Sequence, residues 1–271
     1  MPAGAKINIS DIVFSTGGGA TNAAVTFARQ GLHTAAICKV GDDVSGKEII
    51  NNLKAEGVGT HLIIQDEKLK TAYAVIILSD LGERTVLVFR GASDSFNSED
   101  VNLRLLQARW IYVAGSLPID ILKSILGQAH KNKIKVAMNP SSNQIKLGLG
   151  ELGDILKQLD VLMMNREEGS LLTGIKYGNE RDIFKKLDDY VKGVVVLTDG
   201  PKGVLVSDGR KMYQAGIYKG KSVVDRTGAG DAFGSGFVAS LIDYSNNIER
   251  AIKLASANAT SVVESVGAKI G

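Results

Sequence analysis

The stretch Asp225-Arg-Thr-Gly-Ala-Gly-Asp231-Ala-Phe233 sets a glycine-rich turn against the start of an apolar helical pattern. Gly228, Ala229 and Gly230 place consecutive backbone N–H groups at a helix N-terminus, which is a ready anion site. Asp231 falls in the first helical turn, where the helix dipole favours its ionised form. A carboxylate beside an anion cradle suits a base that takes a proton from an attacking hydroxyl while the cradle holds charge on a phosphoryl group. The plainer alternative is a first-turn aspartate next to a tight turn. A second cluster, Thr16-Gly17-Gly18-Gly19-Ala20-Thr21-Asn22, leads into a helical stretch over 23–30. Its glycines allow close backbone approach to a ligand, and the amide of Asn22 can bond hydroxyls. Here too a packing turn is the alternative. Gly41–Lys47 has the glycine spacing of a P-loop, but Glu48 stands where a Ser or Thr is required, and Asp42 and Asp43 would repel phosphate.

The elements that must carry these clusters follow from periodicity. Short apolar runs at 110–114, 135–138, 161–164 and 194–197 read as buried parallel strands. Helical patterns lie between and after them, at 119–131, 155–159, 167–172, 182–191, 231–242 and 248–263. Alternating strands and helices predict an α/β layered fold. Residues 72–78 and 85–89 read as a hairpin turning at Asp80–Glu83, and 5–15 as a further strand, together a small lid beside the core. No linker or repeat divides the 271 residues, so a single domain is expected.

Composition narrows the function. Lys plus Arg number 32 and Asp plus Glu 29, a net charge of +3 that makes no case for a nucleic-acid binder. Cys38 stands alone and the three histidines are scattered, so neither a disulfide framework nor a Cys- or His-built metal site is expected. No apolar run is long enough to span a membrane. The expected setting is a reducing cytoplasm.

The first cluster, followed by Val40-Gly41-Asp42-Asp43 and Gly46, resembles the N-terminal signature of the ribokinase-like, PfkB-type carbohydrate kinases. The second resembles their C-terminal signature, D-T-x-G-A-G-D, and the two stand roughly 200 residues apart in the right order. The resemblance implies a three-layer αβα core with a mostly parallel sheet and a β lid, spanning 1–271 with lid strands at about 5–16 and 71–90. It implies transfer of phosphate from ATP to a hydroxyl of a small sugar, or of a nucleoside in a variant reading. Asp231 becomes the base, Gly228, Ala229 and Gly230 the anion hole, and Gly17, Gly18 and Asn22 the acceptor contacts. Asn165-Arg-Glu-Glu168 resembles the family's N-x-x-E element, so Asn165 and Glu168 are expected to organise Mg²⁺, partly through water. An N-cap Asn with a capping-box Glu is the other reading of that pair. Thr198, Gly200 and Gly203 resemble the nucleotide-binding turn, with adenine near Ala255 and Asn258. Asp225, Thr227, Val262 and Gly267 are placed around a monovalent cation such as K⁺. A homodimer through the lid strands is implied as well.

Two departures from the family pattern set further expectations. Members open with a core strand and an Asp that bonds acceptor hydroxyls, whereas this sequence begins inside the expected lid. An open apolar sheet edge, covered by a second chain or a rearranged lid, and weak or no turnover are the expectations, with a catalytically silent binding protein as the alternative. Gly19 stands where ribokinase carries a lysine, and Ser116 near where it offers an acidic residue. Ribose is therefore not favoured over other sugars or nucleosides, and the scarcity of aromatics near the first cluster weighs against a nucleoside.

Overall fold

The computed structural model describes residues 6, 8–78, 84–218, 220, 223–244 and 246–269. Helix α1 (Gly19–Arg29) is followed by β1 (Lys39–Gly41), α2 (Val44–Ala55), β2 (Ile64–Asp66) and the strands β3 (Tyr73–Leu78) and β4 (Arg84–Phe89). The core continues with β5 (Trp110–Gly115), α3 (Ile119–Lys131), β6 (Lys135–Pro140), α4 (Ser142–Ile145), α5 (Gly148–Leu156) and β7 (Val161–Asn165). It closes with α6 (Arg166–Thr173), α7 (Glu180–Asp188), β8 (Val194–Thr198), β9 (Val204–Ser207), β10 (Met212–Ala215), α8 (Ala229–Asp243) and α9 (Ile248–Val263).

Six strands form the main sheet in the order β10-β9-β8-β7-β6-β5. β5 to β8 are parallel, and β9 and β10 join antiparallel at one end. The parallel strands are apolar on both faces because helices cover both. Leu162, Val195 and Leu197 pack with Leu126, Ile155 and Phe184 on one face. Val161, Met163 and Val196 pack with Phe27, Phe237 and Ala255 on the other. These two layers around one sheet are the expected αβα core. α8 is buried along its length from Ala232 to Leu241, which explains its apolar character on every side. Gly236 lets it lie against α9: a Cβ there would come 3.3 Å from the Ala255 Cα.

The lid is only half as expected. β3 and β4 pair antiparallel with Tyr73 opposite Phe89, as the hairpin reading requires, while its turn at 79–83 lies outside the described residues. Residues 8–18 form no strand. Ile9, Ile12, Val13 and Phe14 stay exposed, so no burial offsets the entropy of ordering a ladder. The helix read at 155–159 lies earlier, at α5. Three glycines, Gly148, Gly150 and Gly153, disguise its start. Gly153 is needed there, because a Cβ would stand 2.6 Å from the Tyr190 ring.

Candidate active site

The first glycine cluster enters α1 directly, with Gly19 as its first residue and Gly18 at φ 104° before it. That kink needs a glycine. The Thr21 hydroxyl donates to the carbonyls of Gly17 and Gly18, at 2.7 and 3.0 Å, and holds the turn closed. The second cluster does the same for α8. Gly228 is the N-cap residue at φ 81°, and a Cβ on it would fall 2.6 Å from the Ala268 Cβ. Ala229, Gly230 and Asp231 then form the first turn of α8.

These two helix starts meet although they are 209 residues apart. The Asn22 amide Nδ2 donates to Asp231 Oδ2 at 2.8 Å. Asn22 is only 6% exposed, and its Oδ1 finds no hydrogen-bond partner among the described residues. A buried acceptor of that kind costs stability until a ligand donor reaches it. Gly19 is what lets the carboxylate in: a Cβ there would come 3.3 Å from Asp231 Oδ1 and 3.1 Å from the Ala114 Cβ. Burial raises the Asp231 pKa above the ordinary carboxylate range, and the Asn22 hydrogen bond works against it. Both residues line a cleft of about 2690 Å³ that also takes in Gly17–Gly19, Ala114–Ser116, Gly228 and the outer edge of β5.

On the far strands, β7 and β8 end in register, with Asn165 opposite Thr198. Asn165 and Glu168 form a reciprocal capping box: Asn165 Oδ1 accepts from the Glu168 N–H at 2.8 Å, and Glu168 Oε2 from the Asn165 N–H at 2.9 Å. The capping reading is therefore correct, and it leaves Glu168 Oε1 outside the box. Burial raises the Glu168 pKa. After Thr198 the chain turns through Gly200 (φ 50°) and Gly203 (φ 93°), closed by the Asp199 N–H on the Gly203 carbonyl at 2.8 Å. A Cβ on Gly203 would collide with the Ala215 carbonyl.

Asp225 is buried and gathers part of the predicted cation set. Its Oδ1 accepts from the Thr227 N–H and hydroxyl, at 2.8 and 2.7 Å, and its Oδ2 from the Gly267 N–H at 3.4 Å. The Val262 carbonyl accepts from the Ser265 N–H at 3.4 Å. The neighbouring Val263 carbonyl accepts from the N–H groups of Val224 and Asp225, at 2.8 and 3.3 Å. The two residues read as lying near adenine, Ala255 and Asn258, sit on α9 at its contact with α8. Ala255 is fully buried in the α8–α9 contact, and Asn258 Nδ2 donates to the Ala232 carbonyl at 2.7 Å. Both tie α9 to the helix carrying Asp231 because small and amide side chains suit a close helix pair.

Sequence reasoning missed two contributors. Tyr112, inside an apolar strand, brings a buried hydroxyl against α8 at Gly234, where a Cβ would collide with it. Burial first, then the charge of Asp231, raises its pKa. Lys269 donates to Thr16 Oγ1 at 2.8 Å, and Thr16 to Asn52 Oδ1 at the same distance, anchoring the first glycine loop. Nothing in the local pattern at either position signals these contacts.

A mostly parallel sheet covered on both faces, with a carboxylate at a helix N-terminus and a two-stranded ribbon beside the cleft, is an α/β architecture that accommodates small-molecule phosphotransfer. The pfkB family carbohydrate kinase pattern matches residues 2–271, and the chain belongs to that family. The chain is 30% identical to the ribokinase of Haemophilus influenzae over 262 residues, covering 93% of this chain and 82% of that one. The adenosine kinase of Sinorhizobium meliloti superposes with a TM-score of 0.83 at 25% identity, covering 94% of this chain and 80% of that one. The ribokinase of Cryptococcus neoformans var. grubii serotype A, solved with ADP, gives 0.81 at 25% identity, covering 99% and 89%. No described helix is long and apolar enough to cross a membrane.

Proposed function

We propose that this chain transfers the terminal phosphoryl group of ATP to a hydroxyl of a small sugar, with Asp231 as the base. The observation that carries the reading is the Asn22–Asp231 pair at the two helix starts, with Asn22 Oδ1 buried and unpartnered. An acceptor hydroxyl donating to Asn22 Oδ1 sets a neighbouring hydroxyl against Asp231. Asp231 takes the proton of the attacking hydroxyl. The N–H groups of Gly228 at the N-cap and of Ala229 and Gly230 in the first turn hold negative charge on the phosphoryl oxygens, the Ala229 N–H giving up its 3.3 Å bond to the Arg226 carbonyl. Gly17 and Gly18 let the acceptor approach the backbone.

The nucleotide phosphates fit the turn of Thr198, Gly200 and Gly203. Among the described residues no three His, Cys, Asp or Glu side chains gather to hold a metal. Mg²⁺ is commonly held by one or two carboxylates, waters and substrate phosphates. Glu168 Oε1 is the carboxylate available, acting through water, and Mg²⁺ neutralises phosphate charge when bound. A K⁺ beside Asp225, Thr227 and Gly267 would be held by oxygen ligands next to the anion hole. A homodimer through the β3–β4 hairpin and a cytoplasmic setting complete the reading.

A nucleoside acceptor is the second reading. The fold brings Tyr73 and Phe89, which lie far from the first cluster along the chain, to the same cleft lining as Phe14, which stands just before that cluster. ADP release measured over a panel of aldoses, ketoses and nucleosides separates the two. Acceptor-dependent ADP with sugars supports the first reading, and with nucleosides alone the second. Nucleotide binding with no acceptor-dependent ADP contradicts both.

A further inference from the structure

The ends of β7 and β8 are joined by more than their ladder. Just past the Asn165–Thr198 pair come Arg166, the first residue of α6, and Asp199, which precedes the Gly200–Lys202 turn. Arg166 Nη1 donates to Asp199 Oδ2 at 2.6 Å, and its Nη2 pairs with Glu180 at the start of α7. The side chains of Arg166, Asp199 and Glu180 are each only 17% exposed. Tyr177 Oη donates to both Asp199 oxygens, at 3.1 and 2.9 Å, and accepts from Lys202 Nζ at 3.0 Å. The Tyr177 ring carries Arg166 at 5.1 Å and Lys202 at 5.4 Å.

Asp199 is thus the hub of a clamp between two segments. One is the start of α6, which carries Glu168 two residues after Arg166. The other is the Thr198–Gly203 turn, whose two glycines give it little intrinsic stiffness. A partly buried, doubly engaged carboxylate–guanidinium pair holds orientation better than an exposed one, because losing either member strands the other charge. We infer that Arg166 and Asp199 are positioning residues for the nucleotide: their pair, backed by Tyr177 and Lys202, sets the turn against the α6 N-terminus so that both meet one phosphate chain. The inference rests on the ATP reading above.

Kinetics and direct binding test it together. Arg166→Met and Asp199→Asn are expected to raise the KM for ATP about tenfold while the acceptor KM stays within about twofold, the pattern of a displaced binding turn rather than a loosened fold. ADP affinity, read by calorimetry, falls in parallel. Arg166→Lys, which keeps the charge but not the fork, recovers part of the loss. The double variant is no worse than Asp199→Asn, because the two act as one unit. Tyr177→Phe, at a partly exposed position, keeps the ring and removes the hydroxyl's bonds to Asp199 and Lys202, and is expected to raise the ATP KM about threefold. If a charge variant fails to fold, Tyr177→Phe and Arg166→Lys carry the test. Unchanged ATP KM and ADP affinity, or equal rises in both KM values, overturn the inference. A parent chain that binds ADP but transfers nothing refutes the proposed function alone, and the ADP affinities still decide the clamp. A parent chain that binds no ADP refutes both.

Discussion

At the scale of residues, the account turns on how Asp231 is held. The base acts ionised, and burial lifts its pKa, so the acid limb of the rate profile is expected above the ordinary carboxylate range. The Asn22 amide lowers that pKa by stabilising the charge. Asn22→Leu removes this bond and is expected to move the acid limb of kcat/KM to higher pH, with the largest loss at low pH. An acid limb that stays in place shows that Asn22 does not tune the base. Asp231 and Asn22 could both be nominated from their glycine-rich helix starts, since those patterns are local. Their meeting across 209 residues could not, and neither could the role of Gly19 as the gap that admits the carboxylate. Ala255 and Asn258 were legible as positions on a helix, but the face that α9 turns toward α8 is a tertiary fact.

At the scale of elements, the two helix starts depend on glycines in the left-handed region. Gly228→Ala forces a side chain into φ 81° and against Ala268. It is expected to lower stability by about 1–3 kcal/mol, read as a lower urea midpoint at unchanged slope. Gly230→Ala, where a Cβ meets nothing within 4 Å, is the control expected to leave that midpoint nearly unchanged. Helices and parallel strands with clean periodicity were legible, α3, α9 and β5 to β8 among them. Over the described residues 8–16 the stretch read as a strand forms none, because alternation alone does not supply a partner. The N-x-x-E element allowed a capping box and a metal role together, and the box is present with one Glu168 oxygen outside it.

At the scale of the whole molecule, the β3–β4 hairpin stands apart from the main sheet with Val75, Leu87, Val88 and Phe89 exposed. A two-stranded ribbon is marginal by itself, and an apolar one calls for a covering surface. If a second copy supplies it, sedimentation gives a dimer. Val75 and Leu87 face each other in register, so Val75→Glu with Leu87→Lys keeps a favourable cross-strand pair while removing apolar area. The pair is expected to shift the chain to monomer, and a parent that is monomeric at all concentrations contradicts the dimer. The separation of lid from core also gives the cleft its two walls, one from the αβα body and one from the hairpin.

The most direct measurement compares the parent chain with Asp231→Asn for acceptor-dependent ADP release, with ADP binding measured on both. The amide is close to isosteric and can still accept from Asn22, but it cannot take a proton. The expected result is a loss of about 10²–10⁴ in kcat with ADP affinity essentially kept. Acceptor-dependent turnover in Asp231→Asn at the parent's rate would show that Asp231 is not the base.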